Sequence, residues 1–299
     1  MFLGQAAALL GAFGWAVSSS IVKPVLPRVG AYRVNFVYVW AATALGLAAA
    51  AAAGLLNETF TIAAGPAWLL AGGALVGTSG DLALLRAISF EDVGRPFMTS
   101  MGLFMLFSTA GDWLLFHDAP SLWVWPGGFT ILLGIYLAHV PQVGPGQRSV
   151  VLVKPRFRLS GSPTLFAAVA GFLWATSLLM TEKGIDGYSP IAANALANLG
   201  PAFAYTLWAV FSRKPRPVAM PKPDFWRVLV SGVIFGASVP GFIFALKLSN
   251  AGETSILMST SPLFAVFLGW FFLKERPALR PLTGLALSML GIFVVVGMS

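Results

Sequence analysis

The sequence predicts an all-α integral membrane protein of ten transmembrane helices, arranged as two inverted five-helix repeats (5+5). Three observations predict it. Hydrophobic residues make up 57% of the 299 positions and charged residues only 10%, with a mean hydropathy of +0.81. That leaves too little charge to coat a water-facing surface of this size. Apolar stretches of about 20 residues, the length that crosses a bilayer, recur along the chain. Two motifs also recur at one offset. Phe13-Gly14-Trp15-Ala16-Val17-Ser18 returns 159 residues later as Phe172-Leu173-Trp174-Ala175-Thr176-Ser177, and Gly73-x-x-x-Gly77-x-Ser79 returns at the same offset as Gly232-x-x-x-Gly236-x-Ser238.

The spans are expected at 3–22, 32–55, 65–87, 94–116, 121–140, 161–182, 189–211, 225–247, 252–273 and 279–298. Several are rich in Ala and Gly, notably Ala41–Ala53, a composition that lets helices approach closely in lipid. Turn signals such as Asn57-Glu58-Thr59 and His117-Asp118-Ala119-Pro120 separate them, as polar and helix-breaking residues do. The units follow: a first repeat at 1–145, a basic linker at 146–160 and a second repeat at 161–299.

Lys and Arg set the orientation. Of the 19, all but Lys183 and Lys247 fall on the odd-numbered connections and their flanks. Positive charge stays on the cytoplasmic side, so both termini are expected outside, in the periplasm of a bacterial inner membrane. The same asymmetry explains the net charge of +8 without nucleic acid. Each repeat has five spans, an odd number, so its copy enters the membrane from the opposite side. Inverted repeats of this kind hold a solute near the midplane, between the halves, in transporters.

Leu103-Phe104 returns as Leu263-Phe264, and Leu133-Gly134-Ile135 as Leu290-Gly291-Ile292. Together with Ser261-Pro262-Leu263-Phe264, Gly269-Trp270 and Glu275-Arg276, these features resemble the drug/metabolite transporter superfamily. Within it the chain is most similar to EamA-type exporters, and among those to YddG-like exporters of aromatic amino acids. The resemblance implies a ten-helix basket, a central cavity and alternating access for small solutes leaving the cell. One feature departs from duplication: Ser100-Met101-Gly102 stands where the second half has Thr260-Ser261-Pro262.

The candidate substrate-binding residues lie in matched places. On a helix, positions 15 and 18 share a face, as do 174 and 177, so Trp15 with Ser18 and Trp174 with Ser177 each offer an indole and a hydroxyl. Such a face suits a ring and a polar group; core filling with serine back-bonding is the alternative. Ser79 and Ser238 follow the glycine faces, which themselves suit helix packing. Asn35 and Asn194 are again 159 apart, with Tyr38 and Asn198 one turn away. Met101 and Thr99 complete the set. Three prolines, Pro96, Pro240 and Pro262, are candidate hinges, because each removes a backbone donor.

Two acids fall inside spans. Asp112, near the outer end and His117, is expected to be wet. Asp81 is deeper, where a carboxylate is a functional candidate by default. It can lock an inner gate by pairing with Lys23, Arg86 or Arg95, bind a substrate amine, or carry a proton. The chain has no cysteine and its two histidines lie at opposite membrane faces, so no metal site or other cofactor is expected, nor an enzyme's catalytic cluster. The expected function is export of small solutes, aromatic or apolar amino acids foremost. Efflux of organic cations and an intramembrane enzyme are the alternatives. The partners are then the solute and the lipid bilayer, and one chain with both halves is expected to work as a monomer.

Overall fold

A computed structural model describes residues 2–22, 24–88, 94–117, 120–139, 163–211, 220–261, 263–264, 268 and 279–298. Among them every regular element is helical: α1 (Phe2–Val22), α2 (Leu26–Val29), α3 (Ala31–Ala52), α4 (Leu56–Thr61), α5 (Ala64–Ile88), α6 (Gly94–Phe116), α7 (Val124–His139), α8 (Pro163–Gly184), α9 (Pro190–Phe211), α10 (Lys222–Leu248), α11 (Ala251–Met258) and α12 (Leu279–Met298). Helices dominate because lipid offers the backbone no hydrogen-bond partner, and a helix satisfies its own. Five stretches are long and apolar enough to cross a membrane: Leu3–Val22, Ala31–Ala52, Ala64–Ala87, Pro163–Gly184 and Lys222–Leu248.

Large apolar side chains point outward, among them Trp68, Leu122, Phe203 and Phe211. Phe13 and Phe172, the first residues of the repeated motif, are also exposed. A soluble protein would not leave so much apolar surface uncovered, whereas hydrocarbon is a neutral solvent for it. Small residues line the inner contacts instead, with Ala8, Ala12, Ala167, Ala170, Ala192 and Ala193 fully buried.

Helix neighbours come in matched pairs. α5 packs along α8, and α10 along α1; α3 packs on α10, and α9 on α5. The pairs α7 with α12 and α3 with α9 map onto themselves when the two halves are exchanged. One buried cluster joins Ala12, Met101, Phe104, Trp174, Leu246 and Met258 around the middle of the bundle.

The prolines act differently from one another. α10 continues through Pro240; the missing N–H leaves the Gly236 carbonyl without its intrahelical donor, yet the helix does not end. Pro96 lies in the first turn of α6, where a proline costs no helix hydrogen bond. Pro262 lies outside the described residues. Just before it, α11 ends in a turn at Ser259-Thr260. There Ser259, Thr260 and Ser261 turn their hydroxyls back onto the carbonyls of Ser255, Leu257 and Met258.

Candidate functional site: a central aromatic cavity

A cavity of about 170 Å³ opens between the halves. Trp15 of α1, Asn35 and Tyr38 of α3, Gly77, Thr78 and Asp81 of α5 and Phe104 of α6 line it. The second half adds Trp174, Ser177 and Thr181 of α8, Asn194 and Asn198 of α9, Phe235, Ser238 and Phe242 of α10, and Met258 of α11.

The two repeated tryptophans meet there. Their rings lie edge to face, with centroids 5.2 Å apart and planes at 83°; Phe104 makes a second such contact with Trp174 at 6.2 Å. Edge-to-face geometry brings the positive rim of one ring to the negative face of the other. Trp174 is the more enclosed of the pair, at 8% exposure. Its indole Nε1 donates to Asp81 Oδ1 at 2.9 Å. Gly80 makes room for this: a Cβ there would stand 2.8 Å from Trp174 Cδ1. Gly77 does the same for Ser177, whose Oγ would lie 2.6 Å from an added Cβ. The glycine face of α5 is thus a seat for α8, and the Asp81 bond pins the indole onto it.

Asn35 reaches toward the Thr78 carbonyl and the Tyr205 hydroxyl, both at 3.5 Å. Asn198 donates to the carbonyl and side-chain oxygen of Asn194 at 2.9 and 3.1 Å.

Other candidates fall outside the lining. Ser18 is fully buried and bonds to the Ser231 carbonyl at 2.9 Å and the Tyr38 hydroxyl at 3.0 Å. Tyr38 and the Ser231 hydroxyl are themselves hydrogen bonded. This hydroxyl cluster ties α1, α3 and α10 together beside the cavity. Ser79 is exposed and bonds back to the Leu75 carbonyl, while its neighbour Thr78 faces inward; one residue turns a helix by about 100°. Met101 is sealed in the core. Thr99 is half-buried away from the lining.

Asp81 accepts from the indole N–H of Trp174. Arg28 and Asp224 make an ion pair at 2.8 Å among the described residues; Lys23 and the side chain of Arg95 lie outside them. Asp112 is not wet. It is 2% exposed and accepts from the backbone N–H of Gly252 at 2.9 Å, at the start of α11. Glu182 accepts there from Ala251 at 3.1 Å, and Asn250 caps Glu253 at 2.8 Å. Gln5 donates to Glu253. A helix N-terminus carries free N–H groups and partial positive charge, so acids of α6 and α8 are drawn to it. Glu275 and Arg276 lie outside the described residues.

Residues 162–297 match the profile of the EamA-like transporter family, somewhat less than half of the chain. An uncharacterized transporter of Archaeoglobus fulgidus is 28% identical over 135 residues, 45% of this chain and 47% of that protein. The uncharacterized transporter YdfC of Bacillus subtilis is 28% identical over 130 residues, 41% of this chain and 40% of that one. The chain thus spans less than half of the length of the curated relatives it matches. A solved crystal structure superposes with a TM-score of 0.77 over 97% of this chain and 95% of its own, at 14% identity, a likeness of fold alone. The second half of the chain is therefore similar in sequence to EamA-like transporters, and nearly the whole chain shares its fold with a solved structure.

Proposed function

We propose that this protein is a secondary transporter that exports small apolar or aromatic solutes, amino acids foremost, by alternating access in a bacterial inner membrane. The observation that carries the reading is the meeting of Trp15 and Trp174. Residues 159 apart in sequence touch edge to face in one central cavity, as two copies related by an axis through that point would bring them together. Asn35 and Asn194, at the same offset, line the same cavity. The matched neighbours, α5 on α8 and α10 on α1, support two inverted five-helix halves, with Trp15, Asn35, Tyr38, Trp174, Ser177, Asn194, Asn198 and Ser238 as the substrate-binding residues. Pro240 and the break at Ser259-Thr260 are the places for a hinge.

The volume argues for a small solute. At about 170 Å³ the cavity is below the roughly 300 Å³ at which drug-sized ligands are held. That disfavours bulky organic cations. The sequence match to the EamA-like transporter family over residues 162–297 supports transport over intramembrane catalysis.

The test is counterflow in proteoliposomes without ATP. Labelled phenylalanine, threonine and methionine are offered with and without a pH gradient. Saturable exchange of at least one solute is expected; equal leak in empty liposomes for all three sinks the proposal.

A further inference from the structure

The described lining of the cavity holds many neutral hydrogen-bond donors but one acid. Among the described lining residues Asp81 is the ionisable carboxylate, and no Lys, Arg or His joins it. Its Oδ1 takes the Trp174 N–H, and one such bond leaves a carboxylate with unused acceptor capacity. Most other donors are already committed within the protein. Thr78 bonds to the Ala74 carbonyl at 2.7 Å, Thr181 to Ser177 at 2.8 Å and Ser238 to Phe235 at 2.6 Å. The Asn198 amide bonds to Asn194. The Tyr38 hydroxyl belongs to the Ser18 and Ser231 cluster.

Such a lining treats the two ends of an amino acid unequally. An ammonium finds a carboxylate to pair with and indole faces for a cation–π contact. A carboxylate would enter next to Asp81 with no Lys, Arg or His among the described lining residues to offset it, and an unpaired charge in a low-dielectric site is strongly disfavoured. We infer that the cavity reads the solute's ammonium at Asp81, with its apolar body against Trp15, Trp174 and Phe104, and that a free solute carboxylate weakens binding. The favoured cargo has net charge +1: small aromatic amines, and amino acids whose carboxyl is blocked as an amide or ester. This inference rests on the transporter reading above and shifts its favoured solutes from free amino acids to amines and carboxyl-blocked amino acids.

Calorimetric titration of the purified full chain tests it with four solutes of one indole body: tryptamine, tryptophanamide, tryptophan and indole-3-propionate. Tryptamine and tryptophanamide should bind at least about tenfold more tightly than tryptophan, and indole-3-propionate most weakly. Asp81→Asn should erase that order, and Trp174→Phe, which keeps the carboxylate, should preserve it. Tryptophan binding as tightly as its amide overturns the inference, and so does an unchanged order in Asp81→Asn. Should Asp81→Asn not fold, the ranking on the unmodified chain decides alone. If none of the four binds while counterflow of an amino acid is seen, the inference falls and the transporter reading stands; if neither is seen, both fall.

Discussion

The contact of α5 with α8 and that of α10 with α1 occupy matching places in the chain, yet they are built differently. On the first, Gly73, Gly77 and Gly80 of α5 take up Ser177, Met180 and Trp174 of α8. On the second, Gly4, Gly11 and Gly14 of α1 lie against Leu248, Phe242 and Ser238 of α10, with Gly241 of α10 against Ala7; the first has its own reciprocal glycine, Gly184 of α8 against Leu70. Position 81 holds an aspartate that bonds the opposing tryptophan, whereas its counterpart 159 residues on is Pro240. Both contacts carry polar bonds, but of different kinds: an indole N–H on a carboxylate joins α8 to α5, while the hydroxyls of Ser18 and Ser231 join α1 to α10 beside a helix missing a backbone bond.

The sharpest way to break this contrast is to fill the glycine seat. Gly80→Ala puts a methyl 2.8 Å from Trp174 Cδ1 and 3.2 Å from the Ala170 carbonyl. Overpacking of this kind costs about 1–3 kcal/mol, read as a lower unfolding temperature in detergent. Because the indole must move, solute affinity should fall with it. Gly65→Ala, in the same helix with nothing within 4 Å, should change neither.

The next effect separates the two tryptophans. Trp174→Phe removes the N–H that Asp81 accepts and leaves the carboxylate without that bond, a loss of about 1–3 kcal/mol. Trp15→Phe keeps an aromatic edge against Trp174 and should cost less. Equal losses in thermal unfolding would mean that the Asp81 bond is not what distinguishes the contacts.

Much of this cavity was legible in the chain because duplication marks it. The offset of 159 picked out Trp15 with Trp174 and Asn35 with Asn194, and the cavity gathers all four. What duplication does not report is rotation within a helix that is apolar on every side. Hydropathy gives no phase there: the sequence points to Ser79 where Thr78 lines the cavity, marks Phe104 only as part of a repeat, and does not single out Phe235 or Phe242. Nor does it report long-range capping. Asp112 looked like a surface acid because it lies near a span end, but its partner is a backbone N–H 140 residues away, and nothing local in the sequence announces that. On α1 and α8 alike the sequence puts an indole and a hydroxyl on one face; that Ser18 is sealed depends on Tyr38 and Ser231 of other helices.

That last asymmetry carries the smallest and most specific prediction. Ser18 and Ser177 stand at equivalent positions of the repeated motif, but Ser18 is sealed among Tyr38 and Ser231, while Ser177 lines the cavity. Ser18→Ala should therefore lower stability by about 1 kcal/mol, the net worth of a buried hydrogen bond, and leave the ranking of solutes unchanged. Ser177→Ala should do the reverse, with an unfolding temperature close to the parent's and solute affinity altered by a few-fold. Measuring both quantities on both variants makes the outcome decisive: if Ser18→Ala reorders the solutes and Ser177→Ala does not, the cavity has been drawn on the wrong side of α1.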